Sequence, residues 1–230
     1  MIIKRLNYFT TFEKILWLFS ILTISVAFIL PEKRDWLSFV ASLIGVTFLI
    51  LCAKGNPIGL FLTIGFSVLY GIISYSFSYY GEMITYLCMT MPMSVIALIS
   101  WLKNPYNGDK TQVKIKRIGK KDVAVMIALT VVVTVMFYFI LSALDTANII
   151  PSTISVTTSF IAVYLTFRRS SYFALAYASN DVVLIVLWAM AFAKDESYAS
   201  ILVCFVVFLV NDIYGFINWK RMEKIQSKAF

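Results

Sequence analysis

The chain of 230 residues is 60% hydrophobic and only 14% charged, with a mean hydropathy of +0.85. A soluble domain is roughly 45–50% apolar and about 25% charged, so this chain has too few charges to cover a water-soluble surface. It has no histidine, which removes the most common general base and metal ligand. Its three cysteines lie unpaired in apolar stretches, which excludes a disulfide framework. The composition therefore predicts an integral membrane protein.

Eight apolar segments follow one another, each close to the length of about 20 residues that crosses a hydrocarbon core. They are residues 14–30, 36–53, 57–79, 83–101, 122–144, 148–167, 172–193 and 197–219. The first has the composition of a signal peptide, but no small-residue cleavage pattern follows it, so we interpret it as a retained helix. The sequence predicts an all-α membrane protein of about eight transmembrane helices.

The basic residues indicate the orientation of these helices. If both termini lie on one side, 17 of the 20 Lys and Arg residues fall on that side, and only Lys33, Arg34 and Lys194 fall on the other. The side richer in Lys and Arg is normally cytoplasmic, so we expect a multi-pass protein with both termini in the cytoplasm. Because topology accounts for the net charge of +8, no nucleic-acid partner is needed to explain it.

An offset of 118 residues brings several landmarks of the chain into register. Thr63, Tyr70, Tyr80 and Trp101 then fall on Asp181, Trp188, Tyr198 and Trp219. The pattern predicts a 1+3+1+3 plan: an extra helix (1–35), a three-helix bundle (36–102), a basic loop with a linking helix (103–144), and a second three-helix bundle with a basic tail (145–230). Parallel repeats of this kind occur in transporters that bind substrate near the midplane between the halves. Eight helices without symmetry are the alternative.

Polar residues are concentrated in the seventh segment. Asp181 lies roughly 15 Å into that helix at 1.5 Å per residue, near the midplane of the membrane. A carboxylate facing lipid at this depth would cost several kcal/mol, so it must face a cavity or a partner. Tyr177, Asp181 and Trp188 share one helical face, with Asn180 beside them. We predict that this face contacts substrate, with Tyr70 and Tyr86 opposite it in the first bundle.

The eighth segment repeats this pattern with Asn211, Asp212 and Tyr214, which we also predict to contact substrate. Asp212 lies closer to the cytoplasmic end than Asp181 does. It therefore has a second interpretation, as a topological anchor that pairs with Arg168 or Lys220.

Sequence motifs for several other activities are missing. There is no phosphate-binding glycine-rich loop, no serine elbow and no paired-cysteine motif, so we predict neither ATP-driven transport, nor an enzyme, nor a cofactor. A remote alternative is a membrane-embedded sensor or an aspartyl enzyme. The enzyme would require the Asp181 and Asp212 carboxyl groups to lie within hydrogen-bonding reach of each other.

The order of these features resembles the PnuC-type nicotinamide riboside transporters over residues 36–221. The resemblance rests on Gly55-Asn56-Pro57-Ile58-Gly59-Leu60, Tyr79-Tyr80-Gly81-Glu82, Ser100-Trp101, Arg168-Arg169, Asn180-Asp181, Tyr198, Tyr214-Gly215 and Trp219. Members of that family have a Trp-x-x-Trp-x-x-x-Asn motif in the seventh helix, where this chain has Ala174, Tyr177 and Asp181. The scaffold is similar, while one stacking ring is missing and the amide is replaced by an acid.

The resemblance implies a parallel, SWEET-like helical fold in the bacterial cytoplasmic membrane. It also implies facilitated diffusion of nicotinamide riboside or a related nucleoside-like vitamin, trapped by a cytoplasmic kinase that phosphorylates it. A deoxynucleoside or thiamine transporter of the same fold is the alternative. The partners expected are the small-molecule substrate, the lipid bilayer and that kinase, and assembly as a homo-oligomer stays open.

Overall fold

The computed structural model describes residues 8–30, 35–76, 79–146, 148–194, 196 and 199–228. Its helices are α1 (Thr11–Ile29), α2 (Trp36–Ala53), α3 (Pro57–Ser76), α4 (Tyr80–Ile84), a π-helical turn (Thr85–Thr90), α5 (Met91–Leu102), α6 (Lys120–Ala143), α7 (Ile149–Phe167), α8 (Phe173–Phe192) and α9 (Ala199–Lys228). With Tyr80–Leu102 counted as one span, these ranges contain eight helices long and apolar enough to cross a membrane. The predicted fold class is therefore confirmed.

The helices follow the predicted segments to within about three residues, except where α9 continues to Lys228. The start of the fourth span differs from the prediction, and this difference changes the position of Glu82. The fourth span begins at Tyr80 rather than at residue 83, so Glu82 lies inside a membrane helix and not in a loop. The predicted landmark Tyr198 and the basic pair Lys33 and Arg34 lie outside the described residues.

Two bundles of three spans form the centre of the molecule. The first consists of α2, α3 and the broken span α4–α5, and the second of α7, α8 and α9. They meet through two equivalent contacts, because α2 packs against α9 and α5 packs against α7. The extra helix α1 packs on α2 and α9, and the linking helix α6 packs on α7 with little of its surface buried.

Two tryptophans form hydrogen bonds across the same two contacts between the bundles. Trp101 of α5 donates its indole N–H to the Thr166 carbonyl at the end of α7 (2.9 Å), and Trp219 of α9 donates to the Cys52 carbonyl at the end of α2 (2.8 Å). The two rings also contact each other, with centroids 5.3 Å apart. These reciprocal contacts join the ends of the two bundles, and the parallel repeat itself stays a prediction.

The start of α1 and the end of α9 lie at the same end of the bundle, which we call the termini end; the opposite end is the far end. At the termini end, Tyr214 of α9 donates a hydrogen bond to Glu13 of α1 (2.7 Å). The ion pairs found among the described residues all lie here: Lys54–Glu13, Lys116–Asp122, Arg117–Glu223, Arg168–Asp122 and Lys220–Glu223. Which end faces the cytoplasm remains a prediction from the charge count.

The basic loop between α5 and α6 contains a β-hairpin that the sequence analysis did not predict. β1 (Pro105–Tyr106) and β2 (Asp109–Val113) pair in antiparallel fashion around Asn107 and Gly108, both of which have positive φ. Asn-Gly is the turn sequence that suits such a connection. The hairpin covers the termini end, because the Val113 amide donates to the Gly55 carbonyl (3.0 Å) and the Val113 side chain is buried.

The fourth span is broken in the middle by its proline. Pro92 has no amide hydrogen, and the turn before it widens so that the Met91 amide bonds to the Tyr86 carbonyl five residues earlier. Short π-helical segments of this kind occur mostly at functional sites. The wide turn presents Tyr86 and Thr90 to a cavity.

Candidate functional site: a cavity between the bundles

A small cavity lies between the two bundles, and both contribute to its wall. Its volume is about 40 Å³, room for roughly three water molecules. Side chains must therefore move before a larger ligand is admitted. The wall consists of aromatic, small and polar residues: Phe48, Leu49, Cys52, Ala53, Leu60, Thr63, Phe66, Tyr86, Thr90, Thr166, Phe173, Ala174, Tyr177, Asn180, Asp181, Phe208, Asp212 and Gly215.

One face of α8 supplies much of the polar wall. Ala174, Tyr177 and Asp181 follow one another at intervals of three and four residues, so they lie on the same side of the helix, and all three line the cavity. These are the positions that the resemblance matched to the family's motif in that helix. Because Ala174 is small, the Gly215 backbone of α9 approaches closely: a Cβ placed on Gly215 would lie 3.4 Å from the Ala174 methyl group.

Asp181 and Asp212 form a pair of buried acids in this wall. Both carboxyl groups line the same cavity, and the side chains are 4% and 5% exposed. One Asp181 oxygen, Oδ2, has no hydrogen-bond partner in the described part of the chain. Neither acid belongs to an ion pair there, so the cavity contains acidic groups without a basic partner.

The structure distinguishes the two interpretations of Asp212. The basic residues proposed as its anchors are engaged elsewhere, since Arg168 pairs with Asp122 and Lys220 pairs with Glu223. Asp212 instead faces the cavity beside Asp181. Its position therefore suits contact with a ligand and not the predicted anchoring pair.

Asn180 connects the cavity to the hydroxyl groups of α7. Its Oδ1 accepts hydrogen bonds from Thr158 (2.8 Å), Ser159 (3.0 Å) and Ser155 (3.4 Å). With its oxygen occupied in this way, the amide has its N–H groups left for a ligand. Asn180 therefore offers donors to the cavity, whereas the neighbouring aspartates offer acceptors.

Tyr70 and Trp188 lie outside the cavity wall, in the packed layer next to it. Trp188 Nε1 donates to Tyr70 Oη (2.9 Å), and both side chains are fully buried. The Tyr70 ring packs edge-on against Tyr86, with ring centroids 4.3 Å apart, and stacks on Phe66. Tyr70 and Trp188, both predicted site residues, therefore support the aromatic wall from behind, whereas Tyr86 and Phe66 line the cavity itself.

Asn211 and Tyr214 lie on a different face of α9, toward α1. Asn211 Nδ2 donates to Ser20 of α1 (3.0 Å), and Tyr214 donates to Glu13, which also pairs with Lys54. Helical spacing explains the difference from Asp212: neighbouring residues are rotated by about 100° on a helix, so Asn211 and Asp212 face different helices. The contacts of Asn211 and Tyr214 fix α1 to the bundle and do not reach the cavity.

The sequence analysis did not anticipate the four phenylalanines of the wall, Phe48, Phe66, Phe173 and Phe208. Phenylalanine occurs 19 times in the chain, so its positions alone carry no signal for a site. Glu82 lies one residue before the predicted fourth segment (83–101), and it was not predicted as an acid inside the membrane. A search for acidic residues within three positions of each predicted segment would have found it.

The chain is similar to known transporters over most of its length. A relative described as the nicotinamide riboside transporter PnuC of Neisseria mucosa is 29% identical over 223 residues, covering 95% of this chain and 84% of the relative. The PnuC of Haemophilus influenzae is 23% identical over 212 residues, covering 92% and 91%. A crystal structure of the vitamin B3 transporter PnuC superposes with a TM-score of 0.82 at 26% identity, over 95% of this chain and 94% of that one.

The model of one transporter family matches residues 35–221, which include both bundles and the linking helix. The match covers every residue that lines the cavity. The chain therefore belongs to the family described as nicotinamide mononucleotide transporters.

Proposed function

We propose that this protein carries nicotinamide riboside across the membrane by facilitated diffusion. The relatives that match most of its length are named as transporters of this compound, and the cavity between the bundles is where parallel-repeat transporters bind substrate. The observation that carries the proposal is the composition of the cavity wall, which combines aromatic rings with two acids.

Nicotinamide riboside has a flat, positively charged ring and a ribose with hydroxyl groups. Aromatic side chains attract a cation over their faces, and nearby carboxylates add a direct charge interaction. Asp181 and Asp212 also accept hydrogen bonds from sugar hydroxyls, and Asn180 and Thr63 add polar atoms to the same wall. The wall thus matches each part of the riboside with a chemical partner.

The same wall argues for the riboside over the mononucleotide, although the family description names the mononucleotide. A phosphate group binds to Arg, Lys or helix N-termini. Among the described residues that line the cavity there is no Lys or Arg, and two acids are present. A phosphate in this cavity would be repelled by Asp181 and Asp212.

Thiamine is the second candidate, because it is also an organic cation with flat rings, and the acids favour it as well. Deoxynucleosides are neutral, so Asp181 and Asp212 do not favour their binding in the way that they favour the binding of the two cations. An aspartyl enzyme stays the remote alternative, because Asp181 and Asp212 line the same cavity. Membership of a transporter family favours transport over proteolysis.

The proposal extends to the direction of transport. With both termini in the cytoplasm, the substrate enters through the far end, and phosphorylation by a cytoplasmic kinase traps it. The chain itself has no nucleotide-binding loop, so the driving force is the substrate gradient, to which the membrane potential adds for a cation.

The test is uptake of labelled nicotinamide riboside into proteoliposomes, with unlabelled competitors. We expect competition by the riboside itself, little competition by its mononucleotide, and no competition by deoxynucleosides. Complete competition by thiamine, with weaker competition by the riboside, would favour the thiamine alternative. Absence of saturable uptake of any of these compounds would refute the proposal.

Asp181→Asn tests the role of the acid in the same assay. We expect the apparent affinity for the riboside to fall by roughly tenfold to a hundredfold, which corresponds to about 1.4–2.7 kcal/mol. Asp109→Asn, in the exposed hairpin, is the matched control and keeps normal uptake. Equal uptake by both variants would remove Asp181 from the site.

A further inference from the structure

Glu82 is a buried acid that the central cavity does not use. It lies in the first turn of α4 at the far end, its side chain is 1% exposed, and both carboxylate oxygens lack a hydrogen-bond partner among the described residues. The ion pairs found among the described residues all lie at the termini end, so none of them neutralises Glu82. An ionisable residue inside a membrane helix is costly and marks a functional position by default.

Glu82 faces a hydrophilic stripe along α7. Ser152, Ser155 and Ser159 are each at most 2% exposed and lie on one side of that helix, and Ser155 is next to the Glu82 carboxyl group. Gly81 brings the start of α4 close to this side of α7, because a Cβ on Gly81 would lie 3.6 Å from the Cβ of Ser152. A seam of buried polar groups therefore runs between the start of α4 and α7.

This seam leads into the central cavity. Ser155 and Ser159 both donate to Asn180, which lines the cavity wall. On the other side, Glu82 is close enough to interact electrostatically with Tyr86, and Tyr86 also lines the cavity. Polar groups thus continue from Glu82 at the far end to Asp181 near the middle of the membrane.

We propose that Glu82 and the serine face of α7 form a second binding position for an organic cation, located between the far end and the central cavity. It rests on the proposed function, because the cation that occupies it is the substrate before it reaches Asp181. The unpartnered carboxylate supplies the counter-charge, and the serine hydroxyls supply hydrogen bonds. The π-helical turn separates Glu82 from the rigid part of the span, so α4 moves away from α7 without unfolding α5.

The test is the reactivity of a cysteine placed in the seam. In a Cys88→Ala background, which removes the exposed native cysteine, Ser155→Cys is treated with a trimethylammonium methanethiosulfonate and separately with a sulfonated one. Each rate is divided by the rate of the same reagent with a free small thiol. We expect this normalised rate to be higher for the cationic reagent by roughly tenfold or more, because a carboxylate in a narrow cleft concentrates cations. Ser20→Cys, buried between α1 and α9, is the matched control and stays unreactive.

Adding Glu82→Gln to the Ser155→Cys protein removes this preference, whereas Glu82→Asp keeps it. An unreactive Ser155→Cys in a protein that elutes as a folded species would overturn the proposal, and so would equal normalised rates with both reagents. Labelling does not depend on which substrate is carried. If labelling shows the preference but nicotinamide riboside does not slow it, the proposed substrate is wrong while the cation site stands.

Discussion

The hydrogen bond from Trp188 to Tyr70 joins the two bundles through side chains that no solvent reaches. A buried donor that loses its acceptor costs about 1–3 kcal/mol, more than the net value of the bond itself. The pair therefore contributes to stability and also holds the Tyr70 ring against Tyr86 in the cavity wall.

Tyr70→Phe removes the hydroxyl group that accepts the hydrogen bond from Trp188 Nε1. We expect it to lower the free energy of unfolding by about 1–3 kcal/mol, measured as a lower Tm in detergent. Trp188→Phe in the Tyr70→Phe background adds less than it does alone, because the bond between the two residues is already lost. Additive effects of the two substitutions would show that the bond does not couple the residues.

At the scale of helices, the Phe208 ring of α9 lies directly over Gly45 of α2. A Cβ on Gly45 would lie 2.1 Å from Cζ of Phe208, so the ring must move if the glycine is replaced. Phe208 also lines the cavity, which links the packing of these two helices to the shape of the site.

Gly45→Ala is expected to destabilise the protein by about 1–3 kcal/mol through overpacking and to weaken riboside uptake. Gly65→Ala is the matched control, because nothing lies within 4 Å of the position of its Cβ. In a helix this exchange stabilises by about 0.5–1 kcal/mol when no clash occurs. Thermal unfolding and uptake of both variants check the prediction, and equal behaviour of the two would contradict it.

The helices themselves could be predicted from the sequence, because a run of about 20 apolar residues has one stable arrangement in a membrane. Asp181 could be predicted as well, since an acid at that depth has to face the interior. The orientation of α9 could not be predicted, because a helix with apolar residues on all sides has no pattern that indicates which side packs against α1. The hairpin was missed because a short strand in a charged loop has no hydrophobic periodicity, and only Val113 is buried in it.

At the scale of the whole molecule, the ion pairs found among the described residues and the contacts of the hairpin lie at the termini end. At the far end, the Tyr70–Trp188 pair and a hydrogen bond from Ser200 to the Ala27 carbonyl connect the helices. Entry of substrate through the far end, as proposed above, requires these contacts to separate.

The orientation of the protein is tested by single cysteines at its two ends. Ser76→Cys is exposed at the far end, and Ser227→Cys is exposed at the termini end. A membrane-impermeant maleimide is expected to label Ser76→Cys in intact cells and Ser227→Cys only after permeabilisation, with Cys88→Ala as the background. The reverse pattern would place both termini outside and contradict the assignment from the basic residues.

The hydrogen bond from Trp219 to the Cys52 carbonyl, which joins the bundles, also constrains how the protein is synthesised. Cys52 and Trp219 are 167 residues apart in the chain, and the carbonyl at the end of α2 meets its indole donor only after α9 has been synthesised. At about 5–20 residues per second, a ribosome needs roughly 8–33 s to cover that distance. For that time the first bundle lies in the membrane without α9, so the surface of α2 that packs against α9 stays uncovered until translation ends.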